Sequence, residues 1–263
     1  MRTPIVDGIF YPADKEALEA KVVELLDQAK AAPGKAGAIV VPHAGYNYTG
    51  ALAAAGFKSA MERDIRTVVL LAPVTRDAQD GLFLCDYSAF QTPLGAVPVD
   101  QVLCKALLEH KGRFAVNRFP FLEEHSIEVQ LPFVQHLWPE AQIVPVHMGR
   151  QNPGTVKQLA RALQEVFAPC MESTLFVVSA NASPYLQRAL AQEYADTFLS
   201  LVTAGGSEAI LAQLQKRTPL SGGTGCAAAI LGLAEKVPAV TVLGTSDSGG
   251  DKIVCYASLA VSF

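Results

Sequence analysis

The chain has 263 residues, half of them apolar, and a net charge of -4. That is enough apolar mass for one large α/β domain or two small ones, and the lack of a basic cluster argues against a nucleic-acid partner. No apolar run approaches the ~20 residues of a membrane span, and Met1-Arg2-Thr3-Pro4 does not lead into the apolar core of a signal peptide, so a cytoplasmic protein is expected.

Asp7-Gly8-Ile9-Phe10-Tyr11-Pro12 reads as a compact aromatic turn, and a helix opening at Ala13 or Asp14 runs through Ala29 with Leu18, Val22, Leu25 and Leu26 on one face. Pro33-Gly34 ends it. Ala38 to Val41 is a short apolar, β-branched run, the pattern of a strand buried on both faces. Pro42 stops that strand, because proline cannot donate to a sheet ladder. His43 follows at the strand's carboxyl end, where open α/β sheets keep their ligand crevice. Thr49 is the expected cap of a helix over Ala51 to Met61.

Thr67 to Ala72 is a second buried strand, ending in Pro73-Val74-Thr75-Arg76-Asp77. Phe83 to Tyr87 reads as a short strand, 91–95 as a turn, and Asp100 as the cap of a helix to about His110. Residues 125–137 read as one helix kinked at Pro132. Further strands are expected over 142–148, 174–179, 240–243 and 253–261. Helices are expected from Pro153 to Phe167, Pro184 to Thr203, Ser207 to Gln215 and Cys226 to Lys236. Strands and helices alternate throughout, so the expected fold is α/β: a single domain over 1–263, with a mainly parallel central sheet and helices on both faces.

The five cysteines, Cys85, Cys104, Cys170, Cys226 and Cys255, are odd in number and none has C-x-x-C spacing. Neither a disulfide framework nor a zinc knuckle follows. The segment Ser246-Asp247-Ser248-Gly249-Gly250 has the look of a protease nucleophile loop, but it lies between two closing strands with no matching His and Asp frame, and a tight turn is the better reading. Gly222-Gly223-Thr224-Gly225 opens a helix whose free N–H groups could hold an anion, without the Lys-Thr/Ser ending of a phosphate loop. Cys226, at that helix start, is a candidate thiolate beside His43. His110, His136 and His147 suggest structural roles.

Several stretches taken together resemble the Memo family, the B component of the AmmeMemoRadiSam group, which is similar in fold to class III extradiol dioxygenases. They are Gly8-Ile9-Phe10-Tyr11-Pro12, Pro42-His43-Ala44-Gly45-Tyr46, Glu124-His125-Ser126-Ile127-Glu128, Leu131-Pro132-Phe133 and Ser248-Gly249-Gly250-Asp251. They keep the family's order along nearly the whole chain. In members that hold a metal, two His and one Cys bind it. By this resemblance His43 is one ligand position, Thr75 stands where the second His is expected, and Gly222 stands where the Cys is expected. A later loop loses its Asp to Asn181 and its His altogether.

Two expectations follow. The first is a degenerate, non-catalytic member without a bound metal, whose retained pocket contains His43, Tyr46, Thr75, His125, Asn181, Gly222, Gly223 and Cys226 and takes a small ligand or a partner. Family association implies a partner of the AMMECR or radical SAM type. The second is a non-haem iron redox enzyme, dioxygenase-like, in which His43, His125 and Glu128 form a two-His-one-carboxylate set, His125 and Glu128 sharing a helix face. Asp77, Asp80 and Asp247 are further acidic residues that the sequence offers as substitutes for the lost ligands without placing them.

Overall fold

The fold is taken from a computed structural model, which describes residues 1–75, 79–111, 114–234 and 236–263. Asp77, one of the three acidic alternatives, lies outside the described residues.

The elements begin with α1 (Lys15–Gln28), β1 (Ala38–Val41), α2 (Tyr46–Lys58), β2 (Thr67–Pro73) and β3 (Leu82–Leu84). A hairpin of β4 (Ala89–Thr92) and β5 (Gly95–Pro98) leads to α3 (Gln101–Glu109), β6 (Phe114–Val116), α4 (Phe119–Glu123), α5 (Leu131–Leu137) and β7 (Gln142–Met148). Then come α6 (Pro153–Phe167), β8 (Thr174–Ser179), β9 (Leu186–Gln187), α7 (Arg188–Ser200), α8 (Gly206–Gln215), α9 (Thr224–Leu231), β10 (Ala239–Asp247), β11 (Lys252–Ile253) and β12 (Cys255–Ser262).

Eight strands form one sheet in the order β10-β12-β1-β8-β2-β7-β3-β6. Its centre, β1-β8-β2-β7, is parallel, and antiparallel pairing brings in β12 on one side and β3 on the other. The sheet is thus mixed: its middle is parallel, as expected, and β3 also pairs in parallel with the edge strand β6. Every residue of β1, β2 and β8 is buried. That is why these strands read as unbroken apolar runs rather than alternations. α2 packs on β1, β10 and β12, whereas α9 packs on β2 and β8.

Two glycines show how closely the layers approach. A Cβ at Gly56 would come within 2.4 Å of Val41 Cγ1, so α2 lies against β1 only because that position has no side chain. A Cβ at Gly50 would come within 2.7 Å of Leu25 Cδ1, at the crossing of α1 and α2. Gly50 is therefore a packing residue inside α2.

Three boundaries differ from the sequence expectation for identifiable reasons. α2 starts at Tyr46, and Thr49 lies inside it, its hydroxyl donating back to Ala44 O at 2.8 Å rather than capping. The expected turn at 91–95 is the tip of the β4–β5 hairpin, with Gly95 at φ +125°. Residues 125–137 are not one helix. Pro132 sits at the first turn of α5, where a missing N–H costs nothing. Glu128–Gln130 form a separate 3-10 turn, and His125 lies before it in loop.

Candidate functional site

The parallel register aligns Val41 with Ser179 across β1 and β8, and Pro73 with Met148 across β2 and β7. Residues just past these strand ends therefore reach one end of the sheet together: His43 after β1, Thr75 after β2, Gln151 after β7 and Asn181 after β8. They line one cavity of about 390 Å³, together with Pro73, Val74, Ser183, Pro184, Leu220, Ser221 and Gly222. This is the crevice position expected of an open α/β sheet. A larger cleft of about 990 Å³ lies at the opposite end, around Lys35, Arg63 and Cys170, and is bordered by charged surface side chains.

His43 is held from both sides. Its backbone N–H donates to Asn181 Oδ1 at 3.1 Å, and its Nδ1 lies 3.2 Å from Ser179 Oγ. The Ser179 hydroxyl donates to Ser126 O at 2.6 Å. A carbonyl can only accept, so the one hydroxyl hydrogen is used there. Ser179 Oγ must then accept from Gln130 Nε2, at 3.0 Å, and from His43 Nδ1–H. Gln130 is oriented by a second carbonyl, Pro42 O, at 2.9 Å from its Nε2. The network assigns the Nδ1–H tautomer to His43 and leaves the lone pair on Nε2. Burial, and next the neighbouring His125, push the His43 pKa down to about 3, so the ring is neutral.

The other wall is fixed by Glu124. Its Oε1 accepts from the Thr75 N–H at 2.6 Å and from the Thr75 hydroxyl at 2.7 Å. At the third side, Gln151 Oε1 accepts from the Gly225 N–H in the first turn of α9. The expected anion cradle at 222–225 is thus partly filled by a neutral side chain of the protein itself. Gly222 and Gly223 differ sharply. A Cβ at Gly222 would only touch Pro73 Cγ at 3.6 Å, whereas Gly223 has φ +89° and a Cβ there would lie 2.4 Å from Ala180 Cβ.

The structure gathers four of the eight expected pocket residues: His43, Thr75, Asn181 and Gly222. The other four are elsewhere. Tyr46 is buried and its hydroxyl donates to Val129 O at 2.8 Å. His125 Nε2 donates to His43 O at 3.0 Å and its ring stands edge-on to Phe10. Gly223 packs against Ala180. Cys226 is fully buried in α9, and burial pushes its thiol up to about 12, the reverse of an activated thiolate. Gln151, Ser183 and Ser221 were missed. Only their positions just past strand or helix ends could have flagged them.

The His43, His125 and Glu128 set does not form. Glu128 is entirely buried and faces the N-terminal segment. Its carboxylate pairs with Arg2, accepts from the Ile5 and Val6 N–H groups at 3.0 and 3.1 Å, and accepts from the Tyr11 hydroxyl at 2.6 Å. The helix face that was to unite His125 and Glu128 does not exist, because the two residues lie in loop and 3-10 turn. Among the described residues, no group of three His, Cys, Asp or Glu is arranged to hold a metal ion. Asp80 lies beside Arg150 and Asp247 pairs with Arg188, and neither lines the cavity. The three ligand positions implied by the resemblance give the same answer. His43 offers one nitrogen, the Thr75 hydroxyl is donated to Glu124, and Gly222 offers no ligand atom. These residues do not fit a tightly held metal, which needs about three protein ligands.

The chain is thus an open-sheet α/β protein with a neutral, polar cavity outside the carboxyl ends of its parallel strands. Its fold is similar to that in the crystal structure of an uncharacterized protein from Escherichia coli K12, which matches with a TM-score of 0.52 over 84% of this chain and 98% of that one, at 13% identity. A family model described as Memo-like protein matches residues 2–259, and the chain belongs to that family. A MEMO1 family protein of Methanopyrus kandleri is 31% identical over 215 residues, covering 77% of this chain and 76% of its own. A MEMO1 family protein of Thermotoga sp. strain RQ2 is 28% identical over 266 residues, covering 96% and 95%. One from Thermotoga maritima is 32% identical over 197 residues, covering 70% of each. No helix among the described residues is long and apolar enough to cross a membrane.

Proposed function

We propose that this Memo-like chain is a binding protein, in which the family's cavity has been kept while its metal-ligand atoms have been lost. The observation that carries the reading is a coincidence of position. His43, Thr75 and Gly222 come from three distant segments, were marked by resemblance as ligand positions, and line one cavity. Only the first retains a metal-competent atom. A cavity of about 390 Å³ falls within the range of small-molecule sites. On family association alone, the reading includes a partner of the AMMECR or radical SAM type.

The test is the metal content of protein purified without chelator and reconstituted anaerobically with Fe(II). Background iron in wild type supports the reading. Stoichiometric iron that disappears in His43→Ala removes it.

A further inference from the structure

We infer that the cavity selects an uncharged, hydroxyl-rich ligand, a polyol or sugar, and discriminates against both anions and ammonium ions. The inference rests on the binding role proposed above and deepens it by naming the ligand chemistry.

Thr75 donates its hydroxyl hydrogen to the Glu124 carboxylate, Ser221 to Asn181 O, and Ser183 to Pro184 O. Each partner can only accept, so these hydroxyls can meet a ligand only as acceptors, and Ser183 Oγ has one such position taken by the Cys255 N–H at 2.8 Å. His43 adds the Nε2 lone pair, since its hydrogen is on Nδ1 against Ser179. The carboxamides are oriented the opposite way. Asn181 Oδ1 is taken by the His43 N–H and Gln151 Oε1 by the Gly225 N–H, which leaves their NH₂ groups as the side-chain donors.

A ligand in this space must therefore give hydrogens on one side and accept them on the other. A hydroxyl group does both. A carboxylate only accepts, and phosphate, which keeps one or two P–OH hydrogens near neutral pH, still brings more acceptors than donors; either would set a negative charge against His43 Nε2 and the hydroxyl oxygens. An ammonium only donates, and would leave the two carboxamides unmatched. Among the described residues none of the side chains lining the cavity is charged, so an anion would also lose its hydration without a counter-ion from them.

The experiment follows the ¹⁵N resonances of His43 in full-length protein labelled on histidine, assigned with His43→Gln. The account expects an unprotonated Nε2 near neutral pH. D-glucose or glycerol should move that resonance saturably, whereas sodium acetate, sodium phosphate and ethylammonium chloride should not. Thr75→Val removes one acceptor and should weaken the polyol response about five- to tenfold, the equivalent of one hydrogen bond. If Thr75→Val does not fold, Ser221→Ala tests the same point. An Nε2–H tautomer, saturation by acetate, phosphate or ethylammonium, or silence towards both polyols overturns the inference and leaves the binding role standing. Stoichiometric response to Fe(II) or Zn(II) overturns the binding role itself.

Discussion

His43 Nδ1 and Ser179 Oγ lie 3.2 Å apart, and the direction of that hydrogen bond is set by Ser126 O, 2.6 Å beyond Ser179. Ser179 is thus the residue that decides which nitrogen of His43 carries the hydrogen. Ser179→Ala would strip the partner from His43 Nδ1 and one partner from Gln130 Nε2. The expected cost is about 1–3 kcal/mol in urea unfolding, with His43 becoming a tautomeric mixture by ¹⁵N shift. A variant that keeps a single Nδ1–H tautomer would break the proposed relay.

Stability should fall on acidification through the histidine window. Burial lowers both His43 and His147 to about 3, against about 6.5 when unfolded. Between those values the unfolded chain binds more protons, so the stability present above about pH 6.5 is lost as pH drops toward 3. Each histidine contributes about 1.4 kcal/mol per pH unit within the window. Urea midpoints measured from pH 7 to pH 4.5 should reveal the slope. Burial lowers His125 as well, so His147→Leu, at a site packed against Phe121, should reduce the slope and leave the His43 and His125 contributions. An unchanged slope in that variant would place the titrating groups elsewhere.

Glu128 is a structural anchor, and its removal should be felt at the N-terminus rather than in the cavity. Glu128→Gln leaves Arg2 buried without its counter-charge, which costs about 3–5 kcal/mol. Amide exchange at Ile5 and Val6, both bonded to this carboxylate, should accelerate. If protection there is unchanged, the anchor role is wrong.

Adjacent glycines should respond very differently. Gly223→Ala must accept a left-handed backbone, worth about 1–2 kcal/mol, and a collision with Ala180. Gly222→Ala meets only Pro73 at ordinary contact distance and should change thermal stability within about 0.5 kcal/mol. Equal effects would contradict the described α9 entry.

Much of the framework was legible because its signals are local. Unbroken apolar runs gave β1, β2 and β8, and Asp14 and Asp100 cap their helices as residue type suggests, accepting from Ala17 and Leu103 N–H groups at 2.9 Å. The cavity position of His43 followed from Pro42 and the strand end. What escaped was what depends on partners far away in sequence. Glu128 looked like a ligand because spacing cannot show that Arg2, Ile5, Val6 and Tyr11 converge on it. Cys226 looked accessible because a helix start does not reveal the layer packed over it. Gln151 was invisible because its role is to meet a backbone N–H 74 residues away.

The central claim is that the cavity persists and only coordinating atoms are missing from it. The most direct measurement compares the Zn(II) and Fe(II) content of wild type and of the double variant Thr75→His/Gly222→Cys after anaerobic reconstitution and exhaustive dialysis. The account predicts background metal in wild type and close to one equivalent in the double variant, lost again when His43→Ala is added. One equivalent held by wild type and abolished by His43→Ala would contradict it.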